Sequence, residues 1–397
     1  MQLPLQHRLI AQGSEVASTD RPDFQGRLLT AVFCRGEPDR VPLVEAGIDL
    51  AVKERFLGRP IKGMGDEVAF WAAAGYDFVP LSAGLRTIID AAIHQDSSGR
   101  FEADSHDAPS VAAAKRFAVR RLSQRKLTTQ NDSGGTRTWA PEGMGFITSS
   151  DDLDAYPWPD PADLDYSILH TIGDLLPDGM GAIPFAGAIF SSVLLMMGME
   201  TAMIEMAHES HLFQALTAKV AEFQLEVVRH VLAIPATGGI WINDDLGHKT
   251  GLLVSPRLLR KYLFPHYRAI RDLTATRGLP LLLHSDGRIT EILGDLADLG
   301  FNAIHPIDPN GMDMEETRRQ VGSRMCLIGN LSLGYPLGLG TPSDVAQETE
   351  ALIQKMAPGG GYCLSSGNSI PDYVPYENWL AMRDTALRVG RYPIRRA

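Results

Sequence analysis

The sequence predicts an α/β fold. Its form is a single (β/α)8 TIM-type barrel, residues 25–397, with an N-terminal arm over residues 1–24 and a β-hairpin insertion over about residues 101–140. Three observations predict it. Eight short apolar runs, each bounded by turn residues, alternate with segments of helical spacing. The run at 279–284 is apolar almost throughout, as a strand buried on both faces of a parallel sheet must be. It then breaks into His284, Ser285, Asp286 and Gly287, and polar residues recur at the ends of the other runs. An open α/β sheet is the alternative arrangement of the same elements.

The elements follow in order. Residues 1–24 are polar and irregular and read as the arm. A short helix over 26–34 leads into the turn-rich stretch Arg35-Gly-Glu-Pro-Asp-Arg-Val-Pro42. The first strand is 41–44 and ends at Glu45. Helices over 49–57 and 65–74 follow, the second stopped by Gly75. The second strand is 76–81. The pattern then turns polar and locally basic, with Asn131-Asp-Ser-Gly-Gly135 as a strong turn signal. That stretch is the hairpin insertion, and its lysines and arginines read as a solvated face. A proline-rich connector at 156–161 precedes a helix over 164–176 and the third strand, 182–187. Helices over 190–197, 200–206 and 210–232 lead to the fourth strand, 239–242. Ser255-Pro256 opens a helix running to about residue 277. Strands at 279–284, 301–304, 325–328 and 362–364 complete the eight, each followed by a helix.

Composition sets the class. The 397 residues are 44% hydrophobic and 21% charged, ordinary for a globular chain. Net charge is -11, and no long Lys/Arg run suggests a nucleic-acid footprint. Three scattered cysteines cannot make a disulfide framework and suit a reducing, cytoplasmic setting. The N-terminus has no apolar h-region, and the most apolar stretch, 183–199, falls short of a membrane span.

In a barrel the chemistry sits where strands end. Those ends collect Glu45, Asn243, Asp244, Asp245, His284, Asp286, His305, Asn330 and Asn368. Carboxylate, imidazole and amide groups suit proton transfer, oxyanion support or metal binding. His284 and Asp286 are the candidate metal ligands, zinc the candidate ion, and Glu45 or His305 the candidate third ligand. No cysteine stands beside His284.

The chain resembles the uroporphyrinogen decarboxylase superfamily, which includes corrinoid-dependent methyltransferases. The resemblance runs from about Gly26 and rests on the 35–42 stretch and Trp158-Pro-Asp-Pro161. It rests also on Asn243-Asp-Asp-Leu-Gly247, His284-Ser-Asp-Gly287, Ile304-His-Pro306, Ile328-Gly-Asn330, and Pro358-Gly-Gly-Gly-Tyr362 through Pro371. It implies a distorted (β/α)8 barrel. Two departures bear on activity. The decarboxylase proper holds its polyanionic substrate with an arginine-rich N-terminal segment, where this chain has Glu45 and no arginine in 41–47. Coenzyme M methyltransferases of the superfamily carry His-x-Cys on the fifth strand and a further Cys after the eighth. Here Asp286 and Asn368 stand at those cysteine positions, so a thiolate-rich zinc site is not expected.

The resemblance implies an enzyme, a methyltransferase component moving a methyl group between a small O- or N-methyl compound and a corrinoid protein. His284 and Asp286 would orient or protonate the leaving group, directly or through a metal. Asp244 or Asp245 would position substrate or act as general acid. Glu45, Asn243, His305, Asn330 and Asn368 would contact substrate. The alternatives are a cofactor-free decarboxylase (a lyase) and a non-catalytic corrinoid- or tetrapyrrole-binding protein. The expected partners are small molecules and a corrinoid protein, with neither nucleic acid nor membrane, and the expected assembly is a homodimer.

Overall fold

The computed structural model describes residues 21–82, 107–123, 127–130, 136–139 and 145–394. Most of the expected arm therefore lies outside the described residues. Seven parallel strands form one sheet in chain order. They are β1 (Phe78–Ser82), β2 (Gly181–Phe185), β3 (Ile240–Asn243), β4 (Leu281–His284), β5 (Ala303–His305), β6 (Cys326–Leu331) and β7 (Tyr362–Ser366).

The sheet curls, because one side of every strand feeds a common interior. Phe78, Ile183, Trp241, Leu282, Ala303, Ile328 and Cys363 share one apolar cluster. Their sequence neighbours Val79, Ala182, Ile242, Leu283, Ile304, Leu327 and Leu364 pack in the outer layer with the helices. Strand side chains alternate between faces, and here both faces are buried. The architecture is a TIM-type (β/α) barrel.

The expected eight strands become seven and a stave. Residues 41–44 make a single parallel bridge, Leu43 to Leu364. The Val44 N–H donates to the Leu364 carbonyl, and the Leu364 N–H donates to the Pro42 carbonyl. Residues 42 and 44 thus face β7, and the N–H that proline lacks is one a longer ladder would have used.

The base of the barrel is closed by the N-terminal helical turns Phe24–Leu28 and Leu29–Val32. Phe24 fits because Gly181 and Gly238 have no side chain. A Cβ at either would lie about 2.4–2.5 Å from its ring. Arg27, itself buried, pairs with Asp39 and Asp77 at 2.6 Å each, and Arg40 reaches Asp77 at 3.8 Å.

Two other expectations change. Within the expected hairpin insertion, the basic stretch at 109–123 is a helix, Pro109–Ser123, and among the described residues Leu127–Gln130 and Thr136–Trp139 pair as an antiparallel hairpin, with 101–106, 124–126, 131–135 and 140 outside them. The long helix expected after Ser255 divides into Pro256–Tyr262 and Phe264–Ala275. Pro265 removes a helical N–H and crowds the preceding turn, which is enough to break it. Among the described residues no single helix is long and apolar enough to cross a membrane.

Candidate active site

The site is built on the last residues of three neighbouring strands. Asn243, His284 and His305 lie opposite one another across β3, β4 and β5. They share the inward parity of Trp241, Leu282 and Ala303, so the apolar interior gives way to a polar row at its mouth. The chain then turns sharply. Gly287 has φ +78, and a Cβ there would meet the Gly247 backbone at 2.5 Å. This close approach brings the β3 and β4 loops together. The Asp286 N–H donates to Asp245 Oδ1 at 3.0 Å, and the Leu246 N–H donates to Ser285 Oγ at 2.9 Å.

The loops thus converge three ligand-type side chains. His284 Nε2 lies 3.8 Å from Asp245 Oδ1 and 3.7 Å from Asp286 Oδ1. One ligand atom from each of the three falls within 4.8 Å of the others. Asn368, in the loop after β7, donates to Asp286 Oδ2 at 2.7 Å and orients that carboxylate. Burial, then the nearby charges of Asp245 and Asp308, push Asp286 up to about 7. Among the described residues no lysine or arginine pairs with Asp245 or Asp286. One imidazole and two carboxylates fit a divalent cation such as zinc, which takes nitrogen and oxygen ligands. Three protein ligands are the number a catalytic zinc uses.

Behind His284 stands a buried row. His284 Nδ1 and His305 Nδ1 are 2.8 Å apart, and His305 Nε2 is 3.2 Å from Ser365 Oγ. His305 is fully buried, edge-on to Trp241 with ring centroids 5.1 Å apart. Burial and the adjacent His284 hold its pKa well below the ordinary histidine value.

A family profile described as uroporphyrinogen decarboxylase (URO-D) matches residues 137–389, well over half of the chain. The chain belongs to the uroporphyrinogen decarboxylase family. Two curated relatives from Methanosarcina barkeri, one of them from strain Fusaro, are named methylcobamide:CoM methyltransferase MtaA. They are 28% and 27% identical over 130 residues, which is 33% of this chain. The matched stretch spans only 36% of those relatives' own length. A solved structure of a methyltransferase from Methanosarcina mazei superposes with a TM-score of 0.60 at 15% identity. It covers 91% of this chain and 97% of its own, and at that identity it shows the shared fold.

Within this family fold, the expected site residues separate into groups. Asp245, His284, Asp286 and Asn368 come together at the mouth, and Asn243 stands beside His284. His305 is there too, but as the group behind His284 and not as a substrate contact. The expectation that it or Glu45 completes a metal set gives way to Asp245. Asp244 faces the other way. It has the outward parity of Ile240 and Ile242 and accepts from the N–H groups of Ile189, Phe190 and Ser191 and from the Tyr267 hydroxyl, at 2.7–3.0 Å. It caps the helix Phe190–Met197, so a role as general acid does not fit it. Glu45 is fully buried and accepts from the Ser366 N–H at 2.8 Å and hydroxyl at 2.7 Å. Burial pushes its carboxyl up to about 8. Asn330 lines a separate cavity of about 220 Å³ with Pro309, Met312 and Tyr335.

Three contributors were not singled out from sequence: Ser365, Trp241 and Asp308. Alternation supplies the missing signal for two of them. Cys363 and Ser365 share one face of β7, as Trp241 and Asn243 share one face of β3.

Proposed function

We propose that this family member is a methyltransferase component that passes a methyl group between a small O- or N-methyl compound and a corrinoid carried by a partner protein. The observation that carries the reading is the His284–Asp245–Asp286 cluster at the barrel mouth. The names of the relatives that share part of the chain support it. Asp245, His284 and Asp286 would hold a divalent cation. When bound, such an ion supplies Lewis acidity toward the heteroatom bearing the methyl group.

The chain's own residues do the rest. Without the ion, Asp286, pushed up to about 7, holds a proton near neutral pH that it can give to a departing alkoxide or amine; with the ion bound it is ionised and serves as a ligand instead. Asn368 fixes one of its oxygens and leaves the other facing His284. Asn243, one strand along, is placed to orient the substrate. On the family resemblance, Asp286 and Asn368 stand at the positions where coenzyme M methyltransferases would carry cysteine. That substitution favours an oxygen or nitrogen substrate over a thiol, because hard ligands leave a cation more electrophilic.

The test is direct. Purified protein is mixed with cob(I)alamin and a panel of methoxy and methylamine compounds, with and without zinc. Formation of methylcobalamin, suppressed by a chelator, is the expected result. No methylcobalamin from any member, together with conversion of uroporphyrinogen to coproporphyrinogen, would overturn the reading in favour of a decarboxylase.

A further inference from the structure

We propose that the cavity lined by Asn330 binds a primary carboxamide group, with Asn330 as the residue that recognises it. The site is separate from the His284–Asp245–Asp286 cluster and does not depend on the chemistry proposed there.

The cavity, about 220 Å³, lies between the loops that follow β5 and β6 and the helices Met314–Val321 and Pro342–Met356. It borders the mouth. Pro309, one of its walls, packs on Gly367, where a Cβ would meet the proline ring at 3.2 Å, and Gly367 precedes the Asn368 that orients Asp286. The volume is that of about seven waters, yet Pro309, Met312, Met314 and Leu352 give much of the wall no polar side chain. Asn330 is different. It is 8% exposed, and among the described residues no group hydrogen-bonds its carboxamide. Buried side-chain amides are normally paired, because leaving a buried polar group unpaired costs about 1–3 kcal/mol. Asn378, equally buried, shows the ordinary case: it donates to the carbonyls of Leu337 at 2.8 Å and Gly340 at 2.9 Å. An unpaired amide on the wall of a cavity is free for a ligand.

The amide itself says what the ligand must be. Asn330 offers an N–H donor and a carbonyl acceptor side by side in one plane. A ligand that satisfies both must accept and donate from adjacent atoms. A carboxylate only accepts, and an ammonium only donates. A hydroxyl does both at one oxygen, and so meets one side of the amide. A primary carboxamide matches both sides. Charge points the same way. Asp313 and Glu348 stand at the rim, and the Lys355 ammonium there is paired with Glu315 at 2.8 Å. The opening is therefore acidic, which disfavours an anion. Such a carboxamide comes either from a free small amide or from the acetamide and propionamide side chains of a corrin ring.

The experiment titrates the native chain, ¹⁵N-labelled at asparagine, with propionamide and separately with propionate. Propionamide is expected to shift the Asn330 side-chain resonances saturably and to show intermolecular NOEs to Met312, and propionate to do neither. Asn330→Leu keeps the volume and removes the amide, and should bind propionamide at least about tenfold more weakly. Hydroxocobalamin and cobyrinic acid, whose side chains are carboxyls, then identify the source. Displacement of propionamide by hydroxocobalamin but not by cobyrinic acid assigns the site to a corrin side chain, and displacement by neither assigns it to a free amide. Displacement by both overturns the proposal, as does an equal response to propionate. So does the absence of any saturable shift, or a folded Asn330→Leu protein with native affinity. If Asn330→Leu does not fold, the shifts and NOEs of the native chain decide alone. Binding is read without turnover, so a protein that transfers no methyl group at its mouth can still pass, and one that does can still fail.

Discussion

The two ends of the barrel treat their carboxylates in opposite ways. At the base, Asp39 and Asp77 are met by Arg27, with Arg40 close behind. At the mouth, Asp245 and Asp308 both push Asp286 upward, and among the described residues the ion-pair partner of Asp245 and Asp286 is an imidazole, His284. Buried charges are normally paired within the fold that buries them. The base obeys that rule and reads as scaffold. The mouth gathers like charge around a histidine, an arrangement that serves a ligand and not the fold. The contrast can be broken or sharpened by substitution at each end.

The largest effect belongs to the mouth, and it is on turnover. His284→Ala and Asp286→Asn should each lower methyl transfer by about 10²–10⁴-fold, the usual cost of losing a proton-transfer group. Activity per folded molecule, taken with circular dichroism on the same samples, checks this. Near-normal turnover in either variant would return the mouth to the scaffold. Next comes the base. Arg27→Met leaves the buried Asp77 with the more distant Arg40 and takes the guanidinium from Asp39, and breaking a buried pair costs about 3–5 kcal/mol. Urea unfolding should show that loss while turnover per folded molecule stays native. A third effect is smaller. Asp244→Ala unpairs three backbone N–H groups and the Tyr267 hydroxyl, at a cost of about 1–3 kcal/mol in stability. If Asp244→Ala instead folds as well as the native chain and loses its chemistry, Asp244 belongs with the mouth after all.

What could be read in the sequence follows the same division. The strand ends at His284 and Asp286 were legible, because a buried apolar run that stops on His-Ser-Asp-Gly has little use for those groups in packing. The barrel was legible for a similar reason, since eight runs alternate with helical segments. Asp244 and Asp245 were not separable. They are adjacent and chemically equal, and only the parity of β3 sends one to a helix N-terminus and the other to the mouth. Glu45 misled because the last residue of an expected strand was read as a mouth residue. The single bridge at Leu43 leaves that stave short, and Glu45 turns to Ser366 in the wall. Contacts between strands distant in sequence, such as Glu45 with Ser366 or Asn368 with Asp286, leave no local signal at all.

The smallest effect bears on the contrast most directly, because it asks whether the mouth costs the fold any stability. Asp286 is raised to about 7 by burial and then by Asp245 and Asp308, against an ordinary value of about 3.9. The folded state therefore holds its proton more tightly than the unfolded state does. The stability from that proton is fully present below about pH 4 and is lost as pH rises through about 7. Asp286→Asn keeps the side chain neutral at every pH. In chelator, the variant and the native chain should unfold alike near pH 4, and the variant should be the more stable above pH 7. The side chain is 42% exposed, so solvent screening shrinks the difference to no more than about 0.5 kcal/mol. Urea midpoints across that range decide it. A variant less stable than the native chain at pH 8 would mean that the ionised carboxylate holds the mouth together, and the two ends of the barrel would no longer differ in kind.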